Sequence, residues 1–259
     1  MNNAQAPVIL SAQNVSVAFG EKQVTFDVSF DIRAGEFFAL VGESGSGKSV
    51  TSMSLLGLLP KPSAKAISGS AIFDGKDLLK LPISELRKIR GKKISMIFQE
   101  PMQALDLVRT IQSQLLEAIP DVPKKDALEK IREFLKSAGF ADPERVMHGY
   151  PCEMSGGMLQ RVCIVMALLP HPDLIIADEP TTALDVTVQA AVLAVLKRMA
   201  EESHTAVLLI THNMGLVAQY TERVAVMFQG RIVETGTSRD IILHPKDAYT
   251  QRLIAAIPR

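Results

Sequence analysis

A chain of 259 residues, 47% hydrophobic and 22% charged, is long enough for one large core or a core with an added lobe. Its 28 basic and 28 acidic residues balance to zero, which argues against a protein built to coat DNA or RNA. The two cysteines, Cys152 and Cys163, form no CxxC pattern and no disulfide framework, so two partly buried thiols in a reducing compartment are expected.

Taken in chain order, residues 8–17 and 24–32 read as strands. Residues 36–41 (EFFALV) are a short, continuously apolar run, as expected of a strand buried on both faces. A Gly-rich loop leads into a helix over 49–59, which Lys61-Pro62-Ser63 breaks. Residues 69–77 predict a turn-flanked strand, and 94–98 (ISMIF) another buried one. Strand signals fade over 99–150. There Ala127, Leu128, Ile131, Phe134, Leu135 and Ala138 recur at helical spacing, with Gly139 where a C-terminal cap belongs, so a mainly helical insert is expected. Helix 157–169, strand 174–177, helix 187–202 and strand 206–210 follow. Residues 224–228 and 231–234 flank Gln229-Gly230 as a hairpin. These alternating units predict an α/β core on a parallel sheet.

The most apolar stretch, 162–177, is interrupted by Pro170-His171-Pro172-Asp173, whereas a membrane span needs about 20 apolar residues. The opening MNNAQAPVILSAQ has neither the basic start nor the long apolar segment of a secretion signal. A chain soluble by itself is expected, with any membrane role coming through partners. The charge-rich stretches 61–65 and 88–93 are expected to be solvated faces. His148, His171, His204, His212 and His244 show no i, i+4 or HxH pairing, so no transition-metal site is expected.

The chemistry begins at Gly42-Glu43-Ser44-Gly45-Ser46-Gly47-Lys48-Ser49, which fits G-x-x-x-x-G-K-[ST] between a buried strand and a helix. Glycines let backbone N–H groups turn around phosphate oxygens, and the helix start adds partial positive charge. Lys48 is placed to reach the β- and γ-phosphates, and the Ser49 hydroxyl to ligate Mg2+. A second piece is LIIADE (174–179), an apolar strand ending in two carboxylates. Asp178 can hold the Mg2+ shell, and Glu179 can orient and polarise a water. Acids ending a strand are common, so this pair gains weight only beside the phosphate loop. A third piece is Ser155-Gly156-Gly157 before Met158, another anion-binding helix start or an ordinary cap. One nucleotide does not need two such cradles in one subunit, which suggests that the second serves a nucleotide held by another subunit. His212 follows the strand AVLLIT toward the same sheet edge.

GESGSGKS (42–49), Gln99 after ISMIF, MSGGMLQR (154–161), LIIADEP (174–180), TALD (182–185) and THNMG (211–215) occur in one order and spacing. By them the chain resembles the ATP-binding subunits of ABC transporters from about residue 8 to 258. The resemblance implies a single domain over 8–259: a P-loop (RecA-like) ABC ATPase core with an N-terminal antiparallel β subdomain and an inserted α-helical subdomain. Residues 8–98 would hold the β subdomain and first part of the core, 99–156 the helical subdomain, 157–235 the rest of the core and 236–259 a tail. It also implies site residues. ATP would meet Phe19, stacking on adenine, together with Gly42, Glu43, Ser44, Gly45, Ser46, Gly47, Lys48, Ser49, Val50 and Gln99. Mg2+ would take Ser49, Gln99 and Asp178. Glu179, His212 and Lys48 would be catalytic. Ser155, Gly156, Gly157 and Met158 would form the signature that meets the opposing subunit's ATP, with Asp185 at the dimer interface.

Within that family the likeness is to the peptide/nickel importer group. It rests on Tyr150-Pro151, Glu153-Met154, Met158, DEPTTALDVTVQAAVL (178–193) and the tail residues His244-Pro245, Tyr249-Thr250, Leu253 and Ile257-Pro258. Leu159 leans toward nickel and metallophore importers. Two departures stand out. The tail carries no cysteine cluster, so no iron–sulfur site is expected. EPMQALDLV (100–108) lacks the Asn-Pro pair usual near Asp106-Leu107, which bears on coupling. The implied partners are a second ABC ATPase, a paralogue rather than a copy, two transmembrane permease subunits and, indirectly, an extracytoplasmic substrate-binding protein, with no nucleic acid. The implied place is the cytoplasmic face of the cell membrane. An exporter or lipid-transport ATPase and a non-transport ABC ATPase are the alternatives. The second of these usually carries tandem cassettes, a coiled-coil insertion or zinc modules, which this sequence lacks.

Overall fold

The computed structural model describes residues 6–60, 62–182 and 184–256, without the side chains of Gln103 and Val186. Lys61, Ala183, Ile257 and Pro258, used in the reading above, lie outside the described residues. In chain order the elements begin β1 (Val8–Phe19), β2 (Lys22–Arg33), β3 (Phe37–Val41), α1 (Lys48–Leu55), β4 (Ala64–Phe73), β5 (Lys76–Asp77) and α2 (Ile83–Ile89). Then come β6 (Ile94–Ile97), α3 (Pro101–Ala104), α4 (Ile111–Ala118), α5 (Lys124–Ser137), α6 (Pro143–His148), a 3-10 turn at Pro151–Glu153, α7 (Gly156–Leu168), β7 (Leu174–Asp178) and α8 (Val186–Glu202). The chain closes with β8 (Ala206–Thr211), α9 (Met214–Tyr220), β9 (Arg223–Phe228), β10 (Arg231–Thr237), α10 (Ser238–Leu243) and α11 (Ala248–Ala255). Two compact units result: one runs to Arg90 and resumes at Ala206, and the other is Gly91–Thr205.

In the first unit an antiparallel sheet has the order β2-β1-β4-β5. Beside it β3, buried at all five positions, runs parallel to β8 and to β9. That is the arrangement a continuous apolar run calls for, since both faces are covered. β9 returns as β10 through Gln229 and Gly230 (φ 45° and 81°), the positive-φ pair that a two-residue hairpin needs. Val41, Val217, Val224, Val226, Ile241 and Tyr249 pack as one apolar cluster, which fastens α9, α10 and α11 to this strand pair.

In the second unit β6 pairs parallel with β7. Ala127, Ile131 and Leu135 are the buried face of α5, and Gly139 (φ 84°) follows its end, as the spacing predicts. α7 is buried on nearly all sides. Among the described residues, no helix is long and apolar enough to cross a membrane.

Some expectations need correction. The strand expected over 69–77 is the end of β4, a turn at Asp74-Gly75 (φ 49° and 72°) and β5, so a hairpin closes within it. The helix expected to reach residue 59 stops at Leu55. Gly57 turns left-handed (φ 59°), and Arg90 donates to the Leu56 carbonyl at 2.7 Å and the Gly57 carbonyl at 3.0 Å. Arg90 therefore terminates α1, in contrast to its neighbours in the basic stretch. Cys152 is exposed and Cys163 buried, so the expected two half-buried thiols are instead one of each; burial pushes the Cys163 thiol up to about 12.

Candidate functional site

The loop of residues 42–47 connects β3 to α1 in the first unit. Gly42 passes so close to β9 that a Cβ there would lie 2.1 Å from the Met227 carbonyl oxygen and 2.8 Å from Ser46 Oγ. Gly47 has φ 105°, and a Cβ would lie 2.8 Å from Met227 Cε and 2.9 Å from Thr25 Cγ2. Both glycines are therefore demanded by close approach as well as by conformation. The hairpin turn braces the loop from outside: Gly230 N–H donates to the Ser46 carbonyl at 2.9 Å, and Phe26 N–H donates to the Gly230 carbonyl at 2.8 Å.

Lys48 is 4% exposed, and its ammonium donates to the Gly42 carbonyl at 2.8 Å and the Glu43 carbonyl at 2.9 Å. The cation is thus folded back over the loop, on the side where the backbone turns. Ser46 Oγ is buried and has no hydrogen-bond partner there. α1 starts at Gly47 with no side-chain cap and no acidic residue in its first turn. Thr110, Asp142, Ser155, Asp185, Asn213, Thr237 and Asp247 each cap a helix with a side chain, whereas α2, α3 and α5 start without one as α1 does, so the ammonium and the hydroxyl beside it are what set the start of α1 apart. A helix start left uncapped beside a buried ammonium and an orphan hydroxyl suits an anion with several oxygens, as a polyphosphate is. Ser49 and Val50 are half-buried in the first turn, and Glu43, Ser44 and Gly45 are exposed.

In the second unit Asp178 ends β7, 5% exposed, and Glu179 follows with φ 44°. A glutamate in left-handed backbone is costly, by roughly 1–2 kcal/mol, and such residues cluster at functional sites. Thr182 Oγ1 donates to Glu179 Oε2 at 2.9 Å, and Thr182 N–H donates to the Glu179 carbonyl at 3.1 Å, so this conformation is held from within the turn. A buried carboxylate oxygen such as Asp178 offers is the hard donor that Mg2+ takes, so this side chain by itself suits that ion.

Ser155 caps α7, its Oγ accepting from Met158 N–H at 3.4 Å. A Cβ on Gly156 would lie 3.1 Å from Leu184 Cδ2, and one on Gly157 2.7 Å from Val188 Cγ1. The glycine pair therefore lets the starts of α7 and α8 approach each other. Asp185 caps α8 by accepting from Val188 N–H at 3.0 Å. Gln99 is exposed after β6, and His212 is exposed between β8 and the Asn213 cap of α9. Phe19 is half-exposed at the end of β1, opposite Lys22 and Ala64. The first unit thus holds Phe19, residues 42–50 and His212. The second holds Gln99, Ser155–Met158, Asp178, Glu179 and Asp185.

Three supports were not foreseen: the Gly230 brace, Thr182 on Glu179, and Tyr249, whose hydroxyl oxygen accepts from the Glu43 N–H at 2.9 Å. Tyr249 and Thr182 lie in motifs quoted above for likeness alone. Their partners are invisible in a one-dimensional pattern.

The ABC transporter family profile matches residues 25–182. The dipeptide transport ATP-binding protein DppD of Bacillus subtilis (strain 168) is 48% identical over 97% of this chain and 77% of its own length. The oligopeptide transport ATP-binding protein OppD of Escherichia coli (strain K12) is 43% identical over 98% of this chain and 77% of its own. Among solved structures, a dimeric post-hydrolysis state of the ATP-binding cassette MJ0796 bound to ADP and Pi superposes with TM-score 0.76 and 29% identity, covering 89% of this chain and 99% of that one. The structure of cbiO1 from Clostridium perfringens, part of the ABC transporter complex cbiONQ, gives TM-score 0.79 at 25% identity over 92% and 91% of the two chains.

Proposed function

This chain belongs to the ABC transporter ATP-binding family, and from that premise we propose that it energises a bacterial importer of di- or oligopeptides. As a family member it binds and hydrolyses ATP. The observation that supports the cargo reading is likeness over 97–98% of this chain, and 77% of each relative, to two peptide-transport ATP-binding proteins at 43–48% identity. Leu159, which leans toward nickel, is 3% exposed in the buried side of α7, so it packs rather than reads a cargo.

We assign the phosphates to residues 42–49, with Lys48 on the β- and γ-phosphates, Val50 alongside and Phe19 on the adenine. Ser49, Gln99 and Asp178 are the assigned holders of Mg2+, which would supply positive charge against the phosphates. Glu179 takes a proton from water as the water oxygen attacks the terminal phosphorus and the bond to the ADP oxygen breaks, with His212 positioning the γ-phosphate. Ser155, Gly156, Gly157 and Met158 meet the ATP of an opposing ATPase, a paralogue by preference, with Asp185 at the shared interface. Two ATPases close head to tail on two MgATP. The helical subdomain, residues 99–156, passes that motion to two permease subunits fed by a substrate-binding protein, from the cytoplasmic face of the membrane.

The test is uptake of labelled dipeptide and of labelled nickel in cells deleted for this gene, complemented by the parent or by Glu179→Gln. Dipeptide uptake restored by the parent alone is the expected result. Loss of nickel uptake with dipeptide uptake intact would overturn the peptide reading.

A further inference from the structure

We propose that Tyr249 is a positioning residue for nucleotide binding, holding the first turn of the phosphate loop through the Glu43 amide. The inference rests on reading residues 42–49 as the nucleotide site. Tyr249 stands in the first turn of α11, 4% exposed, and reaches Glu43 across 206 residues of sequence. Glu43 is gripped from its other end by the loop itself. Its carbonyl accepts from Lys48 Nζ at 2.9 Å and from Ser46 N–H at 3.2 Å.

An ammonium has three donors, and two of those of Lys48 are on the Gly42 and Glu43 carbonyls. Reaching phosphate oxygens redistributes them. The Tyr249 contact does not involve Lys48, so it keeps residue 43 in register while Lys48 changes partners. Affinity is gained when a loop is pre-set rather than ordered at binding.

The tyrosine is itself fixed. Its ring stacks on Phe228, centroids 4.1 Å apart at 24°. Asp247 caps α11 by accepting from Tyr249 N–H at 2.8 Å and Thr250 N–H at 3.4 Å. Glu234, on β10, accepts from Lys246 N–H at 2.9 Å and Asp247 N–H at 3.1 Å. β10 belongs to the hairpin whose Gly230 braces Ser46. The loop is therefore held at residue 43 by the tail and at residue 46 by the hairpin, and tail and hairpin are tied to each other. Burial pushes the Tyr249 pKa up, so the hydroxyl stays neutral at physiological pH.

A tyrosine serving only the core would be replaced by phenylalanine without loss, because the ring supplies the burial and the stack. Tyr249→Phe removes the oxygen and keeps that ring. Parent, Tyr249→Phe and Lys48→Ala are compared as whole chains by titration with a fluorescent ATP analogue, by ATPase KM and kcat, and by melting without nucleotide. For Tyr249→Phe we expect Kd and KM to rise about 3- to 10-fold, equivalent to roughly 0.7–1.4 kcal/mol, with kcat and nucleotide-free melting close to the parent. Lys48→Ala should lose binding. Unchanged Kd and KM in Tyr249→Phe beside a non-binding Lys48→Ala overturns the positioning role alone. A fall in kcat together with melting temperature also overturns it, since the hydroxyl would then hold the tail rather than the loop. Parent-like binding by Lys48→Ala sinks the nucleotide site itself, and this inference with it.

Discussion

At the scale of single residues, two of the three loop glycines, Gly42 and Gly45, do different work. Gly45 has φ 80° and open space where a Cβ would go, whereas at Gly42 a Cβ would collide with a backbone carbonyl. Gly45→Ala should therefore cost only the left-handed conformation, about 1–2 kcal/mol. Gly42→Ala must in addition move β9 or the loop, so its melting temperature should fall further and its nucleotide affinity should drop. Thermal unfolding of the two variants in parallel checks this, and equal losses would show that the Met227 contact is not a constraint. The glycine pattern was legible in the sequence; which glycine faces a wall was not, because Met227 is distant in the chain. The same holds for Glu179, whose identity the motif supplies and whose left-handed backbone only coordinates reveal.

Among elements, the long strands and helices follow their periodicity, and the differences sit where local signals are short. β5 has two residues, and α2, α9 and α10 have six or seven each, too few turns for an apolar stripe to repeat. They form because neighbours cap and cover them, as Arg90 does for the end of α1. The segment leading into α11 depends on one carboxylate. Burial opposes ionising Glu234, but the amides of Lys246 and Asp247 draw its pKa below the ordinary 4.5. A depressed carboxylate stabilises above its unfolded pKa and loses that contribution as pH falls through its folded value. Glu234→Gln should thus melt below the parent at pH 7, and the gap should close below about pH 4. Melting curves across that range decide it; a gap that persists at pH 3 would assign the loss to something other than charge.

For the molecule as a whole, the proposed head-to-tail closure makes a second subunit part of the active site. It is motivated by Ser155-Gly156-Gly157 at the start of α7, which the family likeness assigns to the opposing subunit's ATP. Glu179→Gln should form a nucleotide-dependent dimer, with itself or with its paralogue, and adding Lys48→Ala should abolish it. Sedimentation velocity with and without MgATP reads this directly, and a monomer in every pairing would exclude the arrangement. Family and core topology were legible because they rest on motif order. The bracing of the phosphate loop was not, because it is made by contacts between the two ends of the first unit. Glu43 finds Tyr249 206 residues on, and the Phe37 N–H finds Glu222 185 residues on. On a ribosome adding about 5–20 residues per second, those partners emerge roughly 10–40 s after the loop itself. Until then a newly made chain carries its phosphate loop without the Tyr249 contact at Glu43 that braces it.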